Sequence, residues 1–192
     1  MFRVVPKPLF PSKSEGFKGP FPFLFYSSAR VVKFLRMSVG IISDTHGHLP
    51  AEVHRAFKGV ALILHAGDIG NLDIIAELET IAPVHAVHGN IDDWPVRNRY
   101  PAVFDLELDG TKVTITHNIV TFQSFTFELF RNGRQADIVI FGHTHKAVSE
   151  NYRNIQFINP GSVYRPKGGA GKSVAILEKL GRGCEPEFIY WD

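Results

Sequence analysis

Cysteine is almost missing from this chain, which has Cys184 as its single copy in 192 residues. An intrachain disulfide is therefore excluded, and so is a zinc site built from several thiolates. No apolar run approaches the roughly 20 residues that a membrane-spanning helix requires. With 44% hydrophobic and 21% charged residues, the composition is that of an ordinary globular protein. These features predict one domain with or without a tail, no membrane partner and a cytoplasmic location.

The chain has a net charge of +2, but this charge is unevenly distributed, and most of the sequence is not basic. Residues 1–36 contain seven Lys or Arg and one acid, a net charge of +6. Residues 37–192 contain 14 bases and 18 acids, a net charge of −4. Binding to nucleic acid usually requires a basic surface, so the larger segment does not favour a polynucleotide as partner.

Residues 1–36 also differ in composition, with five prolines and seven phenylalanines. Proline removes a backbone donor and interrupts regular helix. We therefore predict a basic leader at 1–36 that lies outside the core, and a single domain at 37–192. Three interpretations of the leader remain open: a start site placed upstream of the true one at Met37, a genuine tail with little order, and a targeting peptide that is basic and nearly free of acids.

After Met37 the sequence alternates apolar strands with helices. Strands are predicted at 38–43, 60–65 and 83–88, with helices at 50–58 and 72–80 between them. The later elements are predicted as a hairpin at 103–108 and 111–116, a helix at 121–132, and strands at 137–141, 147–151, 155–158, 172–177 and 187–191. This order is typical of an α/β fold, whose binding sites usually lie at the carboxyl ends of the strands.

Polar side chains follow five of these strands at the points where the strands end. Asp44 and His46 follow the first strand, and Gly47 then permits a sharp turn. If extended geometry continues past Ser43, the two side chains point the same way and can approach one ion together. The later strands are followed by Asp68, Asn90, His117, His143 and His145.

Together these positions supply two carboxylates, one amide oxygen and four imidazoles. Such a donor set suits Mn, Fe, Ni, Zn or Co, and seven donors suit two ions that share a carboxylate. Two ions can clamp a phosphate and lower the pKa of a water molecule, which supplies hydroxide near neutral pH. Each residue alone has a simpler explanation, as a helix cap, a turn residue or a structural histidine. Their joint occurrence at strand ends favours a metal site.

The motifs resemble, in the same order, those of the calcineurin-like metallophosphoesterases. They are Asp-x-His at 44–46, Gly-Asp at 67–68, Gly-Asn at 89–90, His117, and Gly-His-Thr-His at 142–145. Gly-Asn-Ile-Asp at 89–92 and Asn-Pro-Gly-Ser at 159–162 are similar to the YfcE-type phosphodiesterase branch, which also includes the scaffold subunit of retromer. The resemblance covers residues 38–191 and implies a four-layer α/β/β/α sandwich.

The resemblance also implies a ligand set for each of two divalent ions. The first ion is expected on Asp44, His46, Asp68 and His145, and the second on Asp68, Asn90, His117 and His143, with Asp68 as the bridge. Asn90 and Asp68 are the expected catalytic residues, Asn90 also contacts the substrate phosphate, and His48 is a further candidate for substrate contact. Manganese is the first choice of metal, with nickel, iron, cobalt or zinc as alternatives. Ile91 stands where many members have a histidine that can protonate the leaving group.

The expected function is therefore that of a dinuclear-metal phosphoesterase, and more specifically of a phosphodiesterase. It would hydrolyse a small phosphoester by attack of metal-activated hydroxide. Two alternatives remain open, a non-catalytic protein-interaction scaffold of the same fold and a nuclease. The scaffold is expected to have lost metal ligands, and the nuclease to have a basic groove. The sequence makes no prediction of the oligomeric state.

Overall fold

The structure is a computed structural model that describes residues 38–169, 171–181 and 183–192, all within one compact unit. The leader predicted at 1–36 lies outside the described residues, so the division of the chain at residue 37 stays a prediction. Among the helices of the described ranges, none has the length and apolar character needed to cross a membrane.

Two five-stranded sheets and four helices make up the described part of the chain. The first sheet contains β1 (Val39–Ile42), β2 (Leu62–His65), β3 (Val84–Ala86), β9 (Lys172–Leu177) and β10 (Glu187–Trp191), in the spatial order β10-β9-β1-β2-β3. The second contains β4 (Val103–Leu108), β5 (Thr111–Thr116), β6 (Ile138–Ile140), β7 (Ala147–Tyr152) and β8 (Ile155–Pro160), in the order β4-β5-β6-β8-β7. The helices are α1 (Ala51–Ala56), α2 (Leu72–Leu78), α3 (Trp94–Arg99) and α4 (Phe122–Arg131).

The layering follows from the alternation of side chains along each strand. In β1, Ile41 contributes to a core between the two sheets, whereas its neighbour Ile42 packs with residues of α1 and α2. In β6, Ile140 faces the same central core, whereas Val139 packs in a cluster with Phe125 of α4. Helices therefore cover the outer face of each sheet. This confirms the predicted α/β/β/α sandwich.

The parallel strands of each sheet direct their carboxyl ends to one edge. In the first sheet β1, β2 and β3 are parallel to one another, and in the second sheet β5, β6 and β8 are parallel. Each predicted site residue lies in a loop that follows β1, β2, β3, β5 or β6. The topology alone therefore collects these loops at the edges of two sheets that pack face to face.

The short helix α3 was not predicted. Its six residues include only one buried side chain, Val96, so it has no apolar periodicity to detect. The available signal was Asp93 at the N-cap position followed by Pro95 in the first turn, a combination that favours a helix start. Several other elements are shorter than predicted by two or three residues, and β7 and β8 are longer by one and two residues. Apolar patterns do not fix where a helix or strand ends.

Candidate metal centre

A first group of side chains meets beside the end of β1. Asp44, His46, Asp68 and His145 each offer one donor atom, and these atoms all lie within 4.8 Å of one another. Nε2 of His145 is 3.1 Å from Oδ1 of Asp44 and 3.4 Å from Nε2 of His46. Oδ2 of Asp68 is 3.9 Å from Nε2 of His46. The structure therefore brings together all four residues expected for the first ion.

A second group lies on the other side of Asp68. His117 and His143 join Asp68 in a cluster with the same 4.8 Å limit. Oδ1 of Asn90 is 3.1 Å from Nε2 of His117 and 2.9 Å from Nδ1 of His143. Oδ1 of Asp68 is 3.2 Å from Nε2 of His117. The two carboxylate oxygens of Asp68 thus face different groups, and the fold collects all seven residues predicted from the sequence.

The hydrogen bonds of two histidines show what these groups can hold. Nδ1 of His117 donates to the carbonyl oxygen of Ala66 at 2.8 Å, and Nδ1 of His145 donates to that of Arg165 at 2.6 Å. A neutral imidazole has one proton, so Nε2 of each ring presents a lone pair. The lone pair of His117 faces Oδ1 of Asp68, and that of His145 faces Oδ1 of Asp44. In each pair, both atoms are hydrogen-bond acceptors.

An arrangement of acceptors that face one another is stable only with a positive charge between them, either a metal ion or a proton on the imidazole. Oδ1 of Asp44 is buried, and while Nε2 of His145 carries no proton this oxygen has no hydrogen-bond donor among the described residues. Ligating histidines commonly donate their second ring nitrogen to a backbone carbonyl, as His117 and His145 do here. The side chains present therefore fit divalent metal ions coordinated by oxygen and nitrogen.

The pKa values of these groups follow from the same contacts. The hydrogen bond to Asp44 raises the pKa of His145 above its usual value. Burial opposes a charge on His117, but its contacts with Asp68 and the charge of Asp44 outweigh burial and raise its pKa. Burial also opposes a charge on Asp68, yet the bonds from His117 and the Ile91 amide lower its pKa. A positive charge between acid and imidazole is thus favourable, and an ion and a proton compete for the same place.

The loop after β1 corrects one local prediction. The strand ends at Ile42, and Asp44 and His46 have φ angles of 55° and 49°, so the extended geometry expected past Ser43 is wrong. The loop after β2 aligns these ligands instead: the Asp44 amide donates to Gly67 O at 3.0 Å, and the His46 amide donates to Asp68 O at 2.9 Å. Asp68, His143 and His145 also have positive φ angles.

Two glycines are required because the ligands pass directly over them. A Cβ atom at Gly89 would lie 2.0 Å from Oδ1 of Asp68. A Cβ atom at Gly142 would lie 2.0 Å from Oγ of Ser43 and 2.9 Å from Oδ2 of Asp44. A side chain at Gly89 would displace the Asp68 carboxylate, and one at Gly142 would displace Ser43 and the Asp44 carboxylate. These two motif glycines therefore leave space for the ligands.

Sequence reasoning missed the residues that support the ligands from behind. Asp92 is buried and accepts hydrogen bonds from the amides of Gly70 and Gly89, both at 2.7 Å. Arg97 of α3 donates to the carbonyl oxygens of Asp92 at 2.6 Å and Asn90 at 2.8 Å. The motif Gly-Asn-Ile-Asp placed Asp92 near the site, but only the fold shows that it connects the loops after β2 and β3.

The loop after β8 was also missed as part of the site. Oγ of Ser162 donates to the carbonyl oxygen of Asp44 at 3.0 Å and accepts from the amides of Tyr164 and Arg165. The Tyr164 ring centre is 6.0 Å from that of His46 and 5.6 Å from that of His48. His48 is exposed, so it lies at the rim of the first group, outside both clusters. The motif Asn-Pro-Gly-Ser was the sequence signal for this loop.

Oxygen and nitrogen donors collected at the strand ends of an α/β/β/α sandwich define a metal-binding hydrolase domain. The family profile of the calcineurin-like phosphoesterase superfamily domain matches residues 37–180. The chain belongs to this family, and the resemblance inferred from its motifs is confirmed.

Individual relatives agree with this assignment. A probable metallophosphoesterase of Methanothermobacter thermautotrophicus is 36% identical over 161 residues, which cover 80% of this chain and 92% of the relative. The phosphodiesterase YfcE of Escherichia coli K12 is 29% identical over 168 residues, which cover 74% of this chain and 88% of the relative. Among solved structures, a novel archaeal phosphodiesterase matches with a TM-score of 0.64 and 29% identity, covering 80% of this chain and 100% of that one.

Proposed function

We propose that this protein is a phosphodiesterase that hydrolyses small phosphoesters with two divalent ions, manganese being the first choice. The observation that carries the proposal is the placement of Asp68, whose two oxygens face two separate groups of donors. The names of its relatives support the reaction class, since YfcE is a phosphodiesterase.

Each proposed ion has its own set of ligands and one in common. The first would be held by Asp44, His46, Asp68 and His145, and the second by Asp68, Asn90, His117 and His143. Bound there, the ions would lower the pKa of a water molecule and offset charge on the phosphoryl oxygens. Two cations a few ångströms apart repel each other strongly, and the negative charge of Asp68 between them offsets that repulsion.

The protein's own groups hold the rest of the site in order. The carbonyl oxygens of Ala66 and Arg165 keep the Nδ1 proton of His117 and His145 in place, so that Nε2 remains a lone pair. Oδ1 of Asn90 faces the second group, which leaves its Nδ2 to donate to a phosphoryl oxygen of the substrate. We propose His48 as a further contact to the substrate from the rim.

Protonation of the leaving group is the weak point of this site. Ile91 has a side chain that is 48% exposed and carries no proton to give, while its amide is engaged with Oδ1 of Asp68. Substrates with good leaving groups are therefore favoured, because they depart without a general acid, and water is the remaining proton source.

The two alternatives explain the site less well. A non-catalytic scaffold has no need of buried carboxylates and lone-pair nitrogens that face each other, yet all seven donors are present. A nuclease on polynucleotides needs an extended basic surface, whereas residues 37–192 carry a net charge of −4.

The direct test of the reaction is hydrolysis of bis(4-nitrophenyl) phosphate and 4-nitrophenyl phosphate with a panel of divalent metals. We expect the diester to be the better substrate, manganese to be among the most effective metals, and chelation to abolish the reaction. Absence of metal-dependent hydrolysis of both compounds would contradict the proposal.

The shared carboxylate is tested by Asp68→Asn, which keeps the shape and a carbonyl oxygen but removes the charge. Both ions should bind more weakly and most hydrolysis should be lost, while the protein stays folded. His117→Ala is the matched variant that removes a ligand of one group only, and it should empty mainly one site. Metal content per chain after dialysis separates the two outcomes. Retention of two ions and full activity by Asp68→Asn would show that Asp68 is only a turn residue.

A further inference from the structure

Three cationic residues lie next to His145 of the first group, in the chain or through a hydrogen bond to it, although residues 37–192 are acidic overall. Arg165 and Lys167 lie on the loop after β8, and Lys146 directly follows the ligand His145 in the chain. The Lys146 side chain runs along Gly168, with Cε 3.5 Å from the place a Cβ atom would take there. Within the described ranges, no carboxylate lies within 4.0 Å of any of these three charges.

Arg165 is the member of this set that is held in place. Its Cζ atom lies 4.8 Å above the centre of the Tyr164 ring, and its Nη2 donates to the Tyr164 hydroxyl at 3.3 Å. Its backbone is fixed at both ends, since its amide donates to Ser162 at 3.1 Å and its carbonyl oxygen accepts from His145 at 2.6 Å. An ordered guanidinium loses less conformational entropy when it binds an anion than a free side chain does.

The position of Arg165 suits a second group on the substrate. Tyr164 connects it to the metal centre, because the same ring lies 6.0 Å from the His46 ring. In the proposed function, the two ions and the Asn90 amide bind the reacting phosphoryl group, so Arg165 is available for another part of the substrate. The Arg165 guanidinium is exposed and has no carboxylate partner among the described residues. It can therefore bind an anion beside that phosphoryl group.

We propose that Arg165, oriented by Tyr164, forms an anion subsite that binds a second negatively charged group of the substrate, a carboxylate or a phosphate. The proposal rests on the proposed function of the metal centre and names the class of its substrates: phosphoesters with an additional anionic substituent. Lys146 and Lys167 add positive charge around the same subsite.

The first test measures binding and needs no turnover. Isothermal titration of manganese-loaded protein compares phenyl phosphate, 3-carboxyphenyl phosphate and 1,3-phenylene bisphosphate. One charge-assisted hydrogen bond at an exposed site should make the two charged compounds bind about tenfold more tightly than phenyl phosphate. The carboxylate and the second phosphate distinguish the two sources of the anion. The preference should weaken at high salt.

Arg165→Gln should reduce the binding preference to about one, and Tyr164→Leu should reduce it in part by releasing the guanidinium. The matched control is Arg153→Gln, because Arg153 also stacks on a neighbouring tyrosine, with Cζ 5.6 Å from the ring centre of Tyr152. Tyr152 ends β7 and Arg153 follows it, at the opposite end of the strand from Lys146. The control should therefore keep the preference of the unchanged protein.

The second test measures hydrolysis of two diesters with the same leaving group, 4-nitrophenyl phenyl phosphate and 4-nitrophenyl 3-carboxyphenyl phosphate. The ratio of their kcat/KM values should be about ten in the unchanged protein and about one in Arg165→Gln. If neither is hydrolysed but the binding preference depends on Arg165, the proposed function fails and the anion subsite stands. If both are hydrolysed and the preference is missing, or survives in Arg165→Gln, the subsite is wrong and the proposed function stands.

Discussion

His65 should make the fold sensitive to mild acid. It ends β2 with a side chain that is 0% exposed. Nδ1 of the ring accepts from the amide of Gly67 at 3.1 Å, so Nε2 carries the proton and donates it to Oγ1 of Thr45 at 3.0 Å. The Thr45 hydroxyl in turn donates to Ile69 O at 2.9 Å. A second proton on the ring would point at the Gly67 amide proton, so the folded state holds His65 neutral.

The size of the effect follows from the shift of one ionisable group. Burial lowers the pKa of His65 from 6.5 to about 4. The folded pKa is below the unfolded one, so between pH 6.5 and 4 the unfolded chain takes up a proton that the folded protein does not. The free energy of unfolding is therefore highest above pH 6.5 and falls as the pH decreases toward 4. Proton linkage then predicts a loss of about 2 kcal/mol by pH 5 and about 3 kcal/mol by pH 4.

The assay is urea unfolding of metal-free protein at several pH values, for the unchanged protein and for His65→Gln. Glutamine can still donate to Thr45 but does not titrate, so the variant should be less stable at pH 7.5 and less sensitive to acid. The groups of the metal centre titrate in both proteins, so the difference between the two pH profiles reports His65 together with its charge interactions with Asp44, Asp68, Asp92 and His117. His85→Gln, which removes an exposed histidine of β3, is the matched control. Parallel pH profiles for the unchanged protein and His65→Gln would refute the reasoning.

Three further predictions address other parts of the chain. Ile91→His should speed hydrolysis selectively for diesters with poor leaving groups, and a leaving-group series without a slope in the unchanged protein would count against a missing acid. Gly89→Ala should lower metal content and activity in a folded protein, because its Cβ atom would displace Oδ1 of Asp68; unchanged metal retention would show that the loop can adapt. Deletion of residues 1–36 should leave thermal stability and metal-dependent activity nearly unchanged, and a large loss of either would place the leader within the working protein.

The order of elements could be predicted because buried strands and amphipathic helices leave a strong trace in the sequence. The strands β4, β5, β9 and β10 begin and end where the alternation of apolar residues indicated. The helix α3 could not be found in this way, since it buries only Val96 and is held by contacts of Arg97 with the loop that precedes it. Short polar helices depend on tertiary contacts that a local pattern does not contain.

The seven site residues could be predicted for a different reason. Parallel strands share an edge, so donors that follow them must approach one another whatever the local geometry is. The grouping of Asp44 and His46 was predicted from an extended backbone that the structure does not have. The neighbours Tyr164 and Arg165 could not be recognised, because their contacts with His46 and His145 join segments that are 118 and 20 residues apart and that no local pattern connects.

Five of the seven proposed ligands have left-handed backbone conformations, namely Asp44, His46, Asp68, His143 and His145. Such conformations cost on the order of 1–3 kcal/mol each outside glycine and persist only where surrounding contacts impose them. Here each loop is held by another: Gly67 O binds the Asp44 amide, Oδ2 of Asp44 accepts from the His143 amide, and Ser162 Oγ binds Asp44 O. The ligand geometry is therefore a joint property of loops from both sheets. For the same reason, a change in Ser162 or Asp92, neither of which is a proposed ligand, should disturb metal binding more than a change in an exposed residue of a single loop.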